Sequence, residues 1–326
     1  IDPKLPLHPD KEQILNYFKS IVNKYEIDNI KYRSYVIKCK YINNYWEIIY
    51  KRDNHYFTIR SKFIAVCTGL LNKPIYPKIP ILKNFMGEIY HSCEIDQKKM
   101  ESFKNKKILI IGNGATGLDM AKYLRKNNEI TIIYRTPKLL SSRYLFNRPC
   151  NNLVTRFFLL LIRKMPLILY KIIVKLFCIF ILNNFQELPN RKCTFRLINH
   201  NLDIQELITT KKLIYLKTRI RDVKGKKLQL ENGDIIDKDI IIYATGYKKN
   251  LDFLDYDGLD LLHNYKYIIN PKIKNCGFIG LNPSYNWTQV CYYQSKWFIK
   301  YLKGEIKLPE KRDMLEKNII YHIESN

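Results

Sequence analysis

Residues 106–124 read Lys-Lys-Ile-Leu-Ile-Ile-Gly-Asn-Gly-Ala-Thr-Gly-Leu-Asp-Met-Ala-Lys-Tyr-Leu, a strand, a glycine turn and a helix with nothing between them. Ile108 to Ile111 form a continuous apolar run, the pattern of a parallel strand buried on both faces. Leu118, Ala121 and Leu124 follow at the i, i+3 spacing of a helix with one buried face. The order strand, G-x-G-x-x-G, helix gives an otherwise weak glycine motif its meaning as a dinucleotide fingerprint. Gly112 permits the tight turn, Gly114 lets the backbone approach a pyrophosphate, and Gly117 lets helix and strand pack closely. The first amides of the helix and its dipole favour a phosphate.

The next strand bears on which dinucleotide is bound. Glu129-Ile-Thr-Ile-Ile-Tyr-Arg135 is short, apolar and β-branched, and Arg135 stands 23 residues after Gly112. An NAD site would place an acid near there for the ribose 2′-hydroxyl, whereas an arginine suits a 2′-phosphate. The sequence therefore favours NADP(H), with a solvated surface arginine as the alternative.

At 326 residues with 46% hydrophobic and 13% aromatic side chains, the chain can build a sizeable core, divided between two domains. The net charge of +26 is large, but the lysines are scattered and no nucleic-acid reading motif accompanies them. No nucleic-acid partner is expected; anionic membrane surfaces and phosphate-rich cofactors suit the charge better. Eight widely spaced cysteines without C-x-x-C spacing read as reduced, mostly buried thiols of an intracellular protein. The six histidines show no pairing that suggests a metal site, so none is expected. The first residue is Ile1 and no signal peptide is visible, which fits a fragment or a processed product.

Two stretches share a plan. Trp46–Tyr50, a turn at Asp53-Asn54 and Tyr56–Ile59 read as a hairpin, followed by the strand Phe63–Val66 ending in Cys67-Thr68-Gly69. Lys227–Leu230, the turn Asn232-Gly233 and Ile235-Ile236 make a second hairpin, followed by Ile240–Tyr243 ending in Ala244-Thr245-Gly246-Tyr247. Proteins with two dinucleotide-binding units close each unit in this way. One glycine fingerprint is present, and the other would precede Ile1. Two coincidental hairpins would look the same.

With these residues in order, the chain resembles the flavin-containing monooxygenases. Thr68 through Pro74, Pro77 and Pro80 to Phe85-Met-Gly87-Glu-Ile-Tyr-His91-Ser92 is similar to that family's linker and most of its F-x-G-x-x-x-H-x-x-x-Y/F signature, with Ile95 in place of the last aromatic. Gly112–Gly117 matches its NADPH fingerprint and Ala244–Tyr247 its late A-T-G-Y motif. Gln294-Ser-Lys-Trp297, Lys303-Gly304 and Leu308-Pro309 are similar to its C-terminal helix and exit.

The resemblance implies an α/β, three-layer Rossmann-like flavoprotein with two dinucleotide-binding domains, its first FAD-binding βαβ unit missing here. It places the latter part of the FAD domain at 1–104 and the NADPH domain at 105–243, with an apolar helical insert at about 151–190. Residues 244–326 return to the FAD domain. The implied partners are FAD, NADPH, O2 and a small-molecule amine or sulfide, oxygenated through a C4a-hydroperoxyflavin. The expected cofactor contacts are Gly112, Asn113, Gly114, Ala115, Thr116, Gly117 and Arg135, with Thr68, Gly69, Thr245 and Gly246 at strand ends and Gln294 on a late helix. Because the flavin carries the chemistry, no catalytic side chain is assigned. An inactive NADPH-binding homologue without flavin, and a Baeyer–Villiger or N-hydroxylating relative, share this pattern.

Three further readings stay with the residues themselves. His91 is either a contact at the domain hinge or, preferred, a hydrogen-bonded structural histidine. Trp297, Phe298 and Tyr301 recur at helical spacing, in a helix opening at Gln294, as a core stripe rather than a cofactor box. Leu153–Leu182 is long enough to span a bilayer, yet Pro166, Lys171 and Lys175 interrupt it. Two amphipathic helices fit it better, packed on the NADPH domain or lying in a membrane interface. The protein is thus expected in the cytoplasm or peripherally on the endoplasmic reticulum membrane.

Overall fold

A computed structural model describes residues 5–6, 9–136, 213–256, 264–282 and 287–315, with isolated short pieces between 140 and 208. The chain forms two compact units. One comprises Ile1–Cys67, Leu251–Ile279 and Tyr293–Asn326; the other comprises Thr68–Asn250 and Gly280–Tyr292.

The second unit is built on a five-stranded parallel sheet of β1 (Glu88–His91), β2 (Lys107–Ile111), β3 (Glu129–Tyr134), β4 (Ile214–Lys217) and β5 (Ile240–Tyr243). Its strand order is β4-β3-β2-β5-β1. The continuous apolar runs of β2 and β5 follow from burial on both faces. Ile108, Ile110, Ile240 and Ile242 pack with Leu118, Ala121 and Leu124 of the helix Ala115–Leu124. Leu109, Ile241 and Tyr243 pack on the other face with Val223 and Leu228. Those last two belong to a three-stranded antiparallel meander, Ile220–Lys224, Lys227–Leu230 and Ile235–Asp237. Helix, sheet and meander make the three layers. Each fully buried isoleucine or leucine here is worth about 1.5–3 kcal/mol. The second hairpin turns at Asn232-Gly233 as its sequence suggests, with Gly233 at φ +91°.

This compact unit begins at Thr68 and its main stretch ends at Asn250. Glu88–His91 pairs residue for residue with Ile240–Tyr243, which draws the linker from Thr68 onward into the parallel sheet's unit. The chain after β5 stays there too, because Tyr247–Lys248 pairs with Lys73–Pro74.

The first unit contains a three-stranded antiparallel meander, Tyr35–Ile42, Tyr45–Arg52 and His55–Ser61. Its second turn has Asp53 and Asn54 both at positive φ, the short polar residues that tolerate this conformation best. Strand Ile64–Val66 pairs in parallel with Cys276–Phe278. Trp46 is fully buried, and its indole N–H lies 3.2 Å and 3.1 Å from the carbonyls of Lys274 and Asn275. Helix Lys11–Lys24 is closed by a capping box between Asp10 and Gln13 and buries none of its residues.

The last long helix runs from Trp287 to Leu302, so Gln294 sits inside it rather than opening it. Phe298 is buried against Gly277, where a β-carbon would lie 2.6 Å from its ring. Trp297 stacks on Tyr301, and both stay partly exposed, so of the expected core stripe only Phe298 is buried. Among the described cysteines Cys39 and Cys276 are buried but Cys67 and Cys93 are exposed, so the expectation of mostly buried thiols does not hold there. Apart from isolated positions, the apolar stretch 153–182 lies outside the described residues. Among the described residues no helix is long and apolar enough to cross a membrane.

Candidate functional site

The glycine turn joins β2 to the helix Ala115–Leu124 at the carboxyl end of the parallel sheet, where ligands of open α/β sheets bind. Gly112 has φ +118°, and its N–H donates to the Ile133 carbonyl of β3 at 2.9 Å. A β-carbon on Gly112 would lie 2.5 Å from the Ala244 carbonyl oxygen. On Gly117 it would lie 2.2 Å from the Gly112 carbonyl oxygen and 3.2 Å from the Ala244 β-carbon. Both glycines are therefore demanded by the protein's own packing. The same contacts bring the A-T-G-Y segment against the glycine turn, uniting two motifs 132 residues apart.

Gly114 is different. Its backbone, φ −74° and ψ 177°, suits any residue, and among the described residues a β-carbon there would meet nothing within 4 Å. Neither its conformation nor the packing of the described residues asks for glycine at this position. The open space lies at the helix N-cap, where Gly114 offers no side-chain capping bond. The first helical hydrogen bond is Leu118 N–H to the Gly114 carbonyl, so the amides of Ala115, Thr116 and Gly117 have no partner within the helix. A helix N-terminus whose first amides lack helical partners fits a diphosphate.

Arg135 follows the last residue of β3 and is exposed. Asn113, by contrast, turns inward: it is 5% exposed, and its amide nitrogen donates to the Thr136 carbonyl at 3.1 Å and the Tyr215 hydroxyl at 2.9 Å. Both protons of its side-chain amide are thus committed to partners within the protein. Tyr215, on β4, also packs its ring against Tyr134, with ring centres 4.3 Å apart and planes tilted by 31°. Burial pushes its hydroxyl pKa well up, so it stays protonated. Tyr215 was absent from the sequence reading, because nothing local to β4 signals a partner 102 residues away.

The strand-end residues serve the linker. The Thr245 hydroxyl donates to the Ile75 carbonyl at 2.5 Å, which commits its proton. Gly246, at φ +84°, accepts from the Ile75 N–H at 3.0 Å. Thr68 is exposed and Gly69 lies at φ +72°, next to Trp287. Gln294 is buried in the other compact unit.

His91 is the buried link between linker and strand end. The Cys93 N–H donates to its Nδ1 at 3.3 Å, so the ring proton sits on Nε2 and is donated to the Gly246 carbonyl at 3.3 Å. The His91 backbone N–H donates to Glu94 at 2.6 Å, and the Tyr76 hydroxyl donates to the same carboxylate at 2.8 Å. The His91 N–H bond is the chief cause that lowers the Glu94 pKa, and the carboxylate in turn raises Tyr76 to about 12. Burial pushes the imidazole below its ordinary value, against smaller upward pulls from the Gly246 carbonyl and Glu94.

The unfolded chain therefore takes up the imidazole proton more readily than the folded one. The neutral ring's contribution to stability is complete above about pH 6.5 and is lost as pH falls below that toward the folded value. His91→Gln is expected to flatten the thermal-stability profile below this pH. An unchanged slope would place the acid sensitivity elsewhere.

The fold is Rossmann-like α/β, with a glycine turn at the carboxyl end of its parallel sheet. A family profile described as flavin-binding monooxygenase-like matches residues 1–325, and the chain belongs to that family. It is 26% identical over 336 residues to dimethylaniline monooxygenase [N-oxide-forming] 2 of Cavia porcellus, covering 95% of this chain and 61% of the relative. Among solved structures it is similar to S-allyl-L-cysteine S-oxygenase from Allium sativum, with TM-score 0.64, 17% identity and coverage of 97% of this chain and 60% of that one. It is also similar to cyclohexanone monooxygenase from Rhodococcus sp. Phi1 bound to NADP+, with TM-score 0.62, 16% identity and coverage of 90% and 69%. These structural likenesses show the shared fold. The chain spans about three fifths of the length of the curated relatives it matches.

Proposed function

We propose that this chain is part of an NADPH- and FAD-dependent monooxygenase that oxygenates a nucleophilic nitrogen or sulfur of a small molecule with O2. The observation that carries the nucleotide half of this reading is Gly114 at the helix N-cap, where a β-carbon would meet no described atom within 4 Å. Family membership supports the flavin, and the names of relatives that form N-oxides or oxygenate sulfur support the substrate class. A Baeyer–Villiger subtype is the variant that the cyclohexanone monooxygenase likeness favours.

In this reading the unit Thr68–Asn250 with Gly280–Tyr292 takes NADPH, and the other unit belongs to the FAD-binding part. The amides of Ala115, Thr116 and Gly117 hold the diphosphate, and Arg135 pairs with the 2′-phosphate. Thr68, Gly69, Thr245 and Gly246 face a dinucleotide through their backbone, and Gln294 lies on the flavin side. Bound FAD would supply the hydride-accepting and oxygen-activating chemistry. The chain's own task is to bind, to orient and to keep water away from the reacting centre. Residues 153–182, apolar with interspersed lysines, suit a peripheral contact with an anionic bilayer on the cytoplasmic side.

The test is the protein purified from its full reading frame. It is expected to be yellow and to oxidise NADPH in an oxygen-dependent reaction that an amine or sulfide accelerates. Colourless protein that still binds NADPH would replace the enzyme with a binding module.

A further inference from the structure

We infer that Asn113 and Tyr215 are positioning residues that set the preference for a 2′-phosphorylated dinucleotide, by fixing the backbone from which Arg135 projects. The inference deepens the reading above and rests on it. An exposed guanidinium discriminates a phosphate only if its main chain is held, because a long side chain on a loose loop forfeits much of the contact in ordering entropy.

Here the main chain is held on both sides. Before Arg135, the Ile133 carbonyl accepts from the Gly112 N–H at 2.9 Å and the Tyr134 carbonyl from the Thr218 N–H at 3.1 Å. After it, the Thr136 carbonyl accepts from the Asn113 amide at 3.1 Å. Tyr215 ties the two sides together, its ring packed against Tyr134 and its hydroxyl accepting the second Asn113 proton at 2.9 Å. Asn113 thus spends both amide protons on this clamp, in a buried site where an unmade bond is costly.

Asn113 is also the middle residue of the glycine turn. Wherever the turn sits against the diphosphate, the clamp places Arg135 at a fixed distance from it, so one residue sets the spacing between the two phosphate subsites. Sequence spacing alone puts an arginine near the ribose; the clamp aims it.

The experiment measures dissociation constants of NADPH and NADH for the wild-type protein, Asn113→Leu and Tyr215→Phe. Asn113→Leu is expected to lower the preference for NADPH over NADH by about tenfold, equivalent to about 1.4 kcal/mol, with a smaller loss for NADH because the same turn meets the diphosphate of both. Tyr215→Phe keeps the ring contact and loses only the acceptor, so a smaller fall of about threefold is expected, without change for NADH. It remains the deciding variant if Asn113→Leu does not fold. An unchanged preference, or equal weakening of both cofactors, would overturn the clamp while leaving the NADPH reading intact. A wild-type protein that binds both cofactors equally would overturn the Arg135 assignment and the clamp with it.

Discussion

Gly117→Ala and Gly112→Ala are expected to destabilise the fold by about 3 kcal/mol or more, whereas Gly114→Ser leaves stability within about 1 kcal/mol and abolishes NADPH binding. At Gly117 the new β-carbon would stand 2.2 Å from a backbone oxygen, which cannot move without shifting the helix off the sheet. At Gly112 a 2.5 Å clash with the Ala244 carbonyl adds to the strain of φ +118°. Serine at 114 meets no described atom within 4 Å of its β-carbon and supplies the capping oxygen that the helix lacks, so it can even raise stability. Its side chain would then occupy the space assigned to the diphosphate, with an affinity loss of at least about a hundredfold. Thermal melts with and without NADPH separate the two classes. A Gly114→Ser protein that binds NADPH normally would remove the phosphate from this turn.

Arg135→Ala is expected to weaken NADPH by about 1–3 kcal/mol and leave NADH nearly unchanged, the signature of one charge-assisted contact to the 2′-phosphate. Because Arg135 is exposed, its removal costs the fold little. Titration with both cofactors checks this, and rising ionic strength is expected to erode the wild-type preference toward that of the variant. Equal losses for both would show that Arg135 is a solvated surface residue.

The strand, turn and helix at 106–124 were legible because every level agrees there: an apolar run for two-sided burial, glycines for close approach, and helical spacing that places Leu118, Ala121 and Leu124 on the sheet. The two hairpins were legible from their turn residues, which take the positive φ values that their types allow. The strand Tyr35–Ile42 that completes the first meander escaped notice, since it is largely exposed, Lys38 and Lys40 interrupt its apolar run, and a register shift between Val36 and Lys38 breaks its alternation. Long-range choices left no local mark. Glu88–His91 joins the parallel sheet through β5, some 150 positions away, and the compact unit begins at Thr68. Asn113 reads as a ligand-facing loop residue, and only the distant Thr136 and Tyr215 reveal where its amide protons go.

Hydrogen–deuterium exchange at the amides of Ala115, Thr116 and Gly117, with and without NADP+, tests the diphosphate assignment most directly. Slowed exchange at these three positions on adding NADP+, absent in Gly114→Ser, is the expected result. Slowed exchange elsewhere with no change at 115–117 would contradict it.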